Sequence, residues 1–278
     1  NSSAQRFPCN SAVAPGAESE ARWGFVFLFW DIRHQVFFIS KTISLKTIMD
    51  TTPELPAFNL TDTDREVLAM TDDQFVPHDW DNLKDIIARN DLGALKRKPS
   101  DLVRYLAWSR DTKSQYGSIT NFICKRRLGW HLPEPAGTSD SSGTAVADSE
   151  PVFPYNNPIP FADPSDYKIL RNDWPYGLAP GIAHLCVWLR TPVPVQEHGG
   201  DLTDESRALI EEFVQRTFVA RLAREGYSDP KDHVLWFKNW TALQSVRSLE
   251  HIHVLVKDVP ESILFEWTQE PPRDEVPN

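Results

Sequence analysis

The stretch Trp236-Phe-Lys-Asn-Trp-Thr-Ala-Leu-Gln-Ser-Val-Arg-Ser-Leu-Glu-His251-Ile-His253-Val-Leu-Val256 decides how the second half of this 278-residue chain is read. Its last residues have the composition of a strand. Successive strand side chains point to opposite faces, so His251 and His253 share one face of a sheet. Asn239, Gln244, Ser245 and Ser248 stand just upstream. Two imidazoles gathered with neutral hydrogen-bonders suit acyl, nucleotidyl or metal chemistry.

Outward from there, His233–Lys238 and His251–Lys257 read as strands joined by a short helix or loop over Thr241–Leu249. Further upstream, Tyr167–Leu170 is a strand running into Asn172–Gly177, and Ala183–Arg190 is a strand buried on both faces. Between these pairs, Thr203–Arg224 is one long amphipathic helix whose stripe is Ile210, Phe213, Val214, Phe218 and Leu222, capped by Asp201 or Thr203. The N-terminal half is helical. Thr63-x-x-Glu66 has the pattern of a capping box. Pro77-His-Asp79 opens a helix carrying Trp80, Leu83, Ile86 and Ile87, and Pro99-Ser100 caps another with Leu102, Tyr105 and Leu106 on one face. A fourth helix follows the break at Gly117.

The fold class expected is therefore α+β, with an N-terminal helical region over 58–130 packed on an antiparallel sheet with one long helix over 165–257. Residues 131–164 read as a linker, disordered over 138–150, where Ser, Gly, Ala and Asp dominate. The proline- and acid-rich residues 258–278 read as a peripheral tail. Residues 1–48 read as a disordered or misassigned N-terminal extension, with Met49 as a natural start. Its apolar run Gly24–Trp30 is far shorter than the roughly 20 residues a membrane span needs, so no membrane association is expected.

The formal charge of −10 argues against a nucleic-acid partner, which would ask for a strong basic footprint. The basic runs Lys96-Arg97-Lys98 and Lys125-Arg126-Arg127 read as solvated helix ends. Cys9, Cys124 and Cys186 are odd in number and lack CxxC spacing. That fits a reducing compartment, cytoplasmic or also nuclear, with Cys124 and Cys186 as packed thiols. A metal site through His251, His253 and His184 or Asp173 lacks the spacing of a known zinc site, so neither metal nor cofactor is expected.

Residue patterns also carry two resemblances. Pro180-Gly-Ile-Ala-His184-Leu-Cys-Val-Trp-Leu-Arg190 resembles the Pro-x-His-x-Leu-Val-x-Pro-Lys strand of the histidine-triad (HIT) superfamily of nucleotide hydrolases and transferases. Phe237-Lys-Asn239 is similar to its strand-end asparagine. Gln244-Ser245-Val246 with His251-Ile-His253-Val-Leu resembles its Gln-Ser-Val…His-x-His-x-His-Val-Leu signature. This likeness covers about 167–257 and implies a HIT-like sheet. It also implies nucleophilic attack by an imidazole on a nucleotide phosphorus, without an obligatory metal. Leu249 and Leu255 occupy the two positions open to a third histidine. If Leu249 replaces the first histidine, His251 is the nucleophile; if Leu255 replaces the third, His253 is. Asn239 would orient it, and Ser245 or Ser248 would assist the leaving group.

A second resemblance covers about 58–257. Phe75-x-Pro-His-x-Trp80, Lys98-Pro-Ser-Asp101, Tyr116-Gly-Ser, Leu170-Arg-Asn-Asp-Trp-Pro-Tyr-Gly177 and Trp236-Phe-Lys-Asn-Trp are similar to the fungal N-acetylglucosamine-induced protein 1 family, also described as a domain of unknown function. It implies a response to an amino sugar. The expected ligand is a nucleotide or an amino-sugar-derived compound, held by Arg171, Asp173, Trp174, Tyr176, His184, Lys238, Gln244 and Ser245. In that set Trp174 or Tyr176 would stack on a base or sugar, Arg171 and Lys238 would meet phosphate, and Asp173 would close a turn. Catalysis by His251, His253 and Asn239 and catalytically silent binding both remain open, as does a helical interaction scaffold. Protein partners are unread.

Overall fold

The computed structural model of the chain describes residues 60–132, 153–197, 200–244 and 246–272. The expectations for residues 1–48 and 138–150 lie outside the described residues.

Helix α1 (Asp62–Leu68) begins with a capping box, but the box is Thr61 with Asp64. Thr63 instead donates to the carbonyl of Gly93 at 2.9 Å. Helix α2 (Trp80–Ala88) is capped by Asp79, whose carboxylate accepts from the Asn82 amide at 2.8 Å. Helix α3 (Pro99–Tyr116) carries Pro99 in its first turn, where a missing N–H costs nothing. Ser100 does not cap it: the Ser100 amide donates to Asp72 at 2.9 Å. That bond, with the Ser100 hydroxyl and Lys98, holds the Asp72 carboxyl at about 2. After Gly117 (φ 78), Ser118 caps α4 (Ile119–Phe122), which continues as a π-helical turn over Ile123–Leu128 and stops at Gly129.

Four strands, β1 (Tyr167–Arg171), β2 (Ile182–Leu189), β3 (Val234–Phe237) and β4 (Glu250–Lys257), form one sheet in the order β1-β2-β4-β3. All three pairings are antiparallel. The fold is α+β. One face carries Leu185, Val187, Leu189, Ile252, Val254 and Val256. It is covered by the long helix, α5 (Asp204–Val214), a π-helical turn (Gln215–Val219) and α6 (Ala220–Glu225), with Ile210, Phe213, Val214, Phe218 and Leu222 all buried. Thr203 caps that helix, accepting from Ser206 at 3.1 Å.

The opposite face is covered by the N-terminal helices in two places. Leu170, Cys186, Trp188 and Leu249 pack with Ile119, Ile123, Cys124 and Leu128. Phe237 and Leu255 pack with Trp80, Leu83 and Ile86. Strand β2 is thus buried on both sides, and the two histidines of β4 lie on the face the helical region covers.

The expectation of a peripheral tail is corrected. Residues Glu261–Thr268 form helix α7. Ile263 and Leu264 enter the same core as the long helix, and Trp267 meets Phe218 edge-on at 4.8 Å. Proline and acid dominate the composition there, but the few apolar side chains fall at helical spacing and find a groove. Replacing Ile263 by alanine is expected to cost about 2–4 kcal/mol, the usual penalty for emptying a buried aliphatic site. A urea-unfolding midpoint checks this, and a change within about 0.5 kcal/mol would fit a surface position instead. Phe153 and Phe161 are likewise buried, so the proline-rich return of the linker is packed. Among the described residues no helix is long and apolar enough to cross a membrane.

Candidate functional site

A cavity of about 800 Å³ opens between the helical region and the histidine-bearing face of the sheet. Of the residues singled out in the sequence, it brings together His251, His253, Asn239, Arg171, Asp173, Trp174, Tyr176 and Gln244. Ser245 lies outside the described residues.

His251 lies opposite Trp188 in the β2–β4 register, and the two rings sit 4.6 Å apart at 30°. Its Nδ1 is 2.8 Å from the carbonyl of Leu249, an acceptor, so Nδ1 carries the proton and Nε2 the lone pair. Burial lowers its pKa to about 4, because water no longer solvates the charged ring. His251 is a neutral imidazole with one nitrogen anchored and the other uncommitted among the described residues.

His253 is held on both sides. Its Nδ1 lies 2.9 Å from His184 Nε2, its Nε2 lies 3.3 Å from the Asn239 amide, and its ring stacks on Phe237 at 4.8 Å. Burial pushes His253 well below the ordinary histidine range and His184 to about 3. Asn239 Oδ1 is buried without a partner. Exchanging its amide oxygen and nitrogen lets the oxygen accept from His253 Nε2–H at 3.3 Å and from the Tyr176 hydroxyl at 3.4 Å. Gln244 anchors the same loop, donating to the Asn239 carbonyl at 2.8 Å.

Several expected roles are corrected. Lys238 does not line the cavity: its buried amine faces Glu250 at 3.5 Å. His184 lies behind the wall, bonded to His253. The Arg171 guanidinium engages Glu261, and its backbone N–H donates to Glu270 at 2.7 Å. The side chain closing the turn before Trp174 is Asn172, whose Oδ1 accepts from the Trp174 amide at 3.0 Å. Asp173 instead pairs with Arg127 at 2.8 Å. Trp174 does face the cavity, its buried Nε1–H without a partner.

Other wall residues escaped the sequence reading. Arg97, Lys113, Arg127 and Arg247 join Arg171 there, against only Asp64 and Asp173. Arg97 and Arg247 have no carboxylate partner among the described residues. The Arg97 guanidinium lies 4.4 Å over the ring of Tyr105 and 5.3 Å over that of Tyr176. An excess of cations inside an acidic protein focuses a positive potential on the cavity. Trp108, Cys186 and Trp188 also line it. Cys186 and Trp188 had a signal: they follow His184 at the strand period of two, on the same face.

Comparison with known proteins agrees with the second resemblance. Residues 79–257 match the family described as "Protein of unknown function (DUF3605)". The chain is 32% identical over 192 residues to N-acetylglucosamine-induced protein 1 of Candida albicans, covering 68% of this chain and 72% of that protein. It is 30% identical over 178 residues to an uncharacterized protein of Saccharomyces cerevisiae, covering 64% of this chain and 77% of the other. A crystal structure of HTC1 is 26% identical with a TM-score of 0.46, over 66% of this chain and 86% of that one. The chain belongs to the DUF3605 family of proteins of unknown function and is a homologue of the fungal N-acetylglucosamine-induced protein 1.

Proposed function

We propose that the cavity binds a nucleotide or nucleotide-sugar phosphate ester and that His251 attacks its phosphorus. The observation that carries this reading is the anchoring of His251 Nδ1 on the Leu249 carbonyl at 2.8 Å, which leaves Nε2 as a lone-pair nucleophile on the cavity wall. In the first step the Nε2–P bond forms and the P–O bond to the leaving group breaks. The leaving oxygen takes a proton relayed from solvent through Ser248 and Thr120, hydroxyls hydrogen-bonded at 2.6 Å on the same wall, so that neither is left as an alkoxide and the proton shed by the attacking water in the second step returns to solvent. Water then cleaves the N–P bond and restores the imidazole. Arg97 and Arg247 offer positive charge for the phosphate oxygens, and Trp108 and Trp174 offer ring faces for a base or sugar.

The order of strand, His184 strand, long helix, Asn239 strand end and His251-x-His253 strand supports a HIT-like arrangement. The name of the Candida relative, induced by N-acetylglucosamine, supports an amino-sugar-derived ligand. One observation favours the alternative, a non-catalytic binding or regulatory protein: Leu249 stands where a third histidine would and is packed with Val246 and Trp188. Neither Leu249 nor Leu255 fills the cavity, however.

A panel of nucleotides, dinucleotides and nucleotide sugars tests the reading through thermal shift and product formation. At least one phosphate ester is expected both to raise the melting temperature and to be turned over. Stabilisation without turnover assigns the silent-binder alternative, and no response across the panel contradicts both.

A further inference from the structure

At the cavity wall three donors of a different chemistry meet, Cys186 and His253 in its lining and His184 just behind. His184 and Cys186 stand two residues apart on one face of β2, and the register puts His253 opposite Cys186 on β4. His253 Nδ1 lies 2.9 Å from His184 Nε2 and 3.6 Å from Cys186 Sγ, and the three donor atoms all fall within 4.8 Å of one another. All three side chains are buried. We propose that His184, Cys186 and His253 form a site for one transition-metal ion, zinc or copper, with a fourth position open to the cavity.

The spacing suits such an ion. With metal–nitrogen bonds of about 2.0–2.1 Å and a metal–sulfur bond of about 2.3 Å, a tetrahedral centre separates nitrogen from sulfur by roughly 3.5 Å and two nitrogens by roughly 3.3 Å. The Cys186–His253 pair already stands at that separation, at 3.6 Å. The two imidazoles, now 2.9 Å apart, need to open by only a few tenths of an ångström.

The flanking polar group has the right character. With its amide exchanged as above, Asn239 accepts from His253 Nε2–H, which fixes the tautomer whose Nδ1 lone pair faces the ion. A thiolate with two imidazoles selects a borderline or soft metal over magnesium or calcium, which take oxygen ligands. Cys186 and His253 line the cavity, so an ion has a way in. Loading releases the Cys186 thiol proton to solvent, because only the thiolate is a ligand, and shifts the His184 proton from Nε2, where it bonds His253 Nδ1, to Nδ1. None of this rests on the role given to His251.

Titration of the reduced, full-length chain with cobalt(II), a spectroscopic stand-in for zinc, is the test. One equivalent is expected to bind, with thiolate-to-cobalt charge-transfer absorption that zinc competes away. Cys186→Ser should abolish that absorption, while Cys124→Ser, a buried thiol outside the group, should keep it. His184→Asn and His253→Gln should each weaken zinc retention at least tenfold against a chelator, with circular dichroism checking that each variant is folded. Anaerobic copper(I) titration against a competing chelator forms a second arm, and stoichiometric uptake there that is lost in Cys186→Ser supports the site equally. Absence of stoichiometric cobalt, zinc and copper uptake, or a charge-transfer band surviving Cys186→Ser, overturns the proposal.

Discussion

Replacing His251 by asparagine is expected to lower turnover of the cognate phosphate ester by about 10³-fold or more while changing its Kd by less than about threefold. Removing a nucleophile that defines the covalent step forfeits most of the chemical acceleration, whereas groups that only bind leave kcat nearly intact. His253→Asn should behave differently. It breaks the contacts to His184 and Asn239 together, so stability, binding and turnover should all fall. Steady-state kinetics and calorimetric titration of the two variants separate these outcomes. Equal kcat losses with intact stability in both would mean that His253 takes part in the chemistry and is not only a support for the cavity wall.

The second large effect concerns stability. Arg127→Met is expected to cost about 3 kcal/mol, since removing one member of a largely buried ion pair strands the charges it neutralised. Arg127 binds Asp173 at 2.8 Å and Glu270 at 2.6 Å, and its side chain is only 18% exposed. These contacts join the π-helical turn after α4, the segment after β1 and the residues after α7. Adding Asp173→Asn should recover part of the loss, because the stranded carboxylate becomes neutral. Chemical unfolding of the single and double variants measures both numbers. A single-variant loss below about 0.5 kcal/mol would place Arg127 among ordinary surface ion pairs.

What was legible in the sequence followed local period. The alternation of β4 placed His251 and His253 on one face, and the stripe from Ile210 to Leu222 defined the long helix. What was not legible depended on partners far along the chain. Arg97 sits between two cations that pair with Glu66 and Asp72, and only the fold lays it over Tyr105 and Tyr176. Arg127 looks like a helix end until Asp173 and Glu270 arrive from 46 and 143 residues away. Lys238 is adjacent to Asn239, yet strand alternation turns it to Glu250 and away from the cavity. At helix starts, Thr61 rather than Thr63, and Asp72 rather than Ser100, met the orphan amides, because capping depends on backbone geometry as well as residue type. The His184–Cys186–His253 group was the least visible. His184 and Cys186 share a face at the strand period of two, but only the pairing of strands 67 residues apart sets His253 beside Cys186.

If His251 is the nucleophile, the covalent intermediate on its ring can be trapped. The full-length chain would be mixed briefly with the phosphate ester that stabilises it, quenched at neutral to mildly alkaline pH to preserve phosphohistidine, and mapped by intact mass and peptide fragmentation. A phosphoryl or nucleotidyl adduct on His251, absent from His251→Asn, is the expected result. An adduct on His253, or turnover in which rapid-quench sampling finds no adduct on any residue, would contradict it.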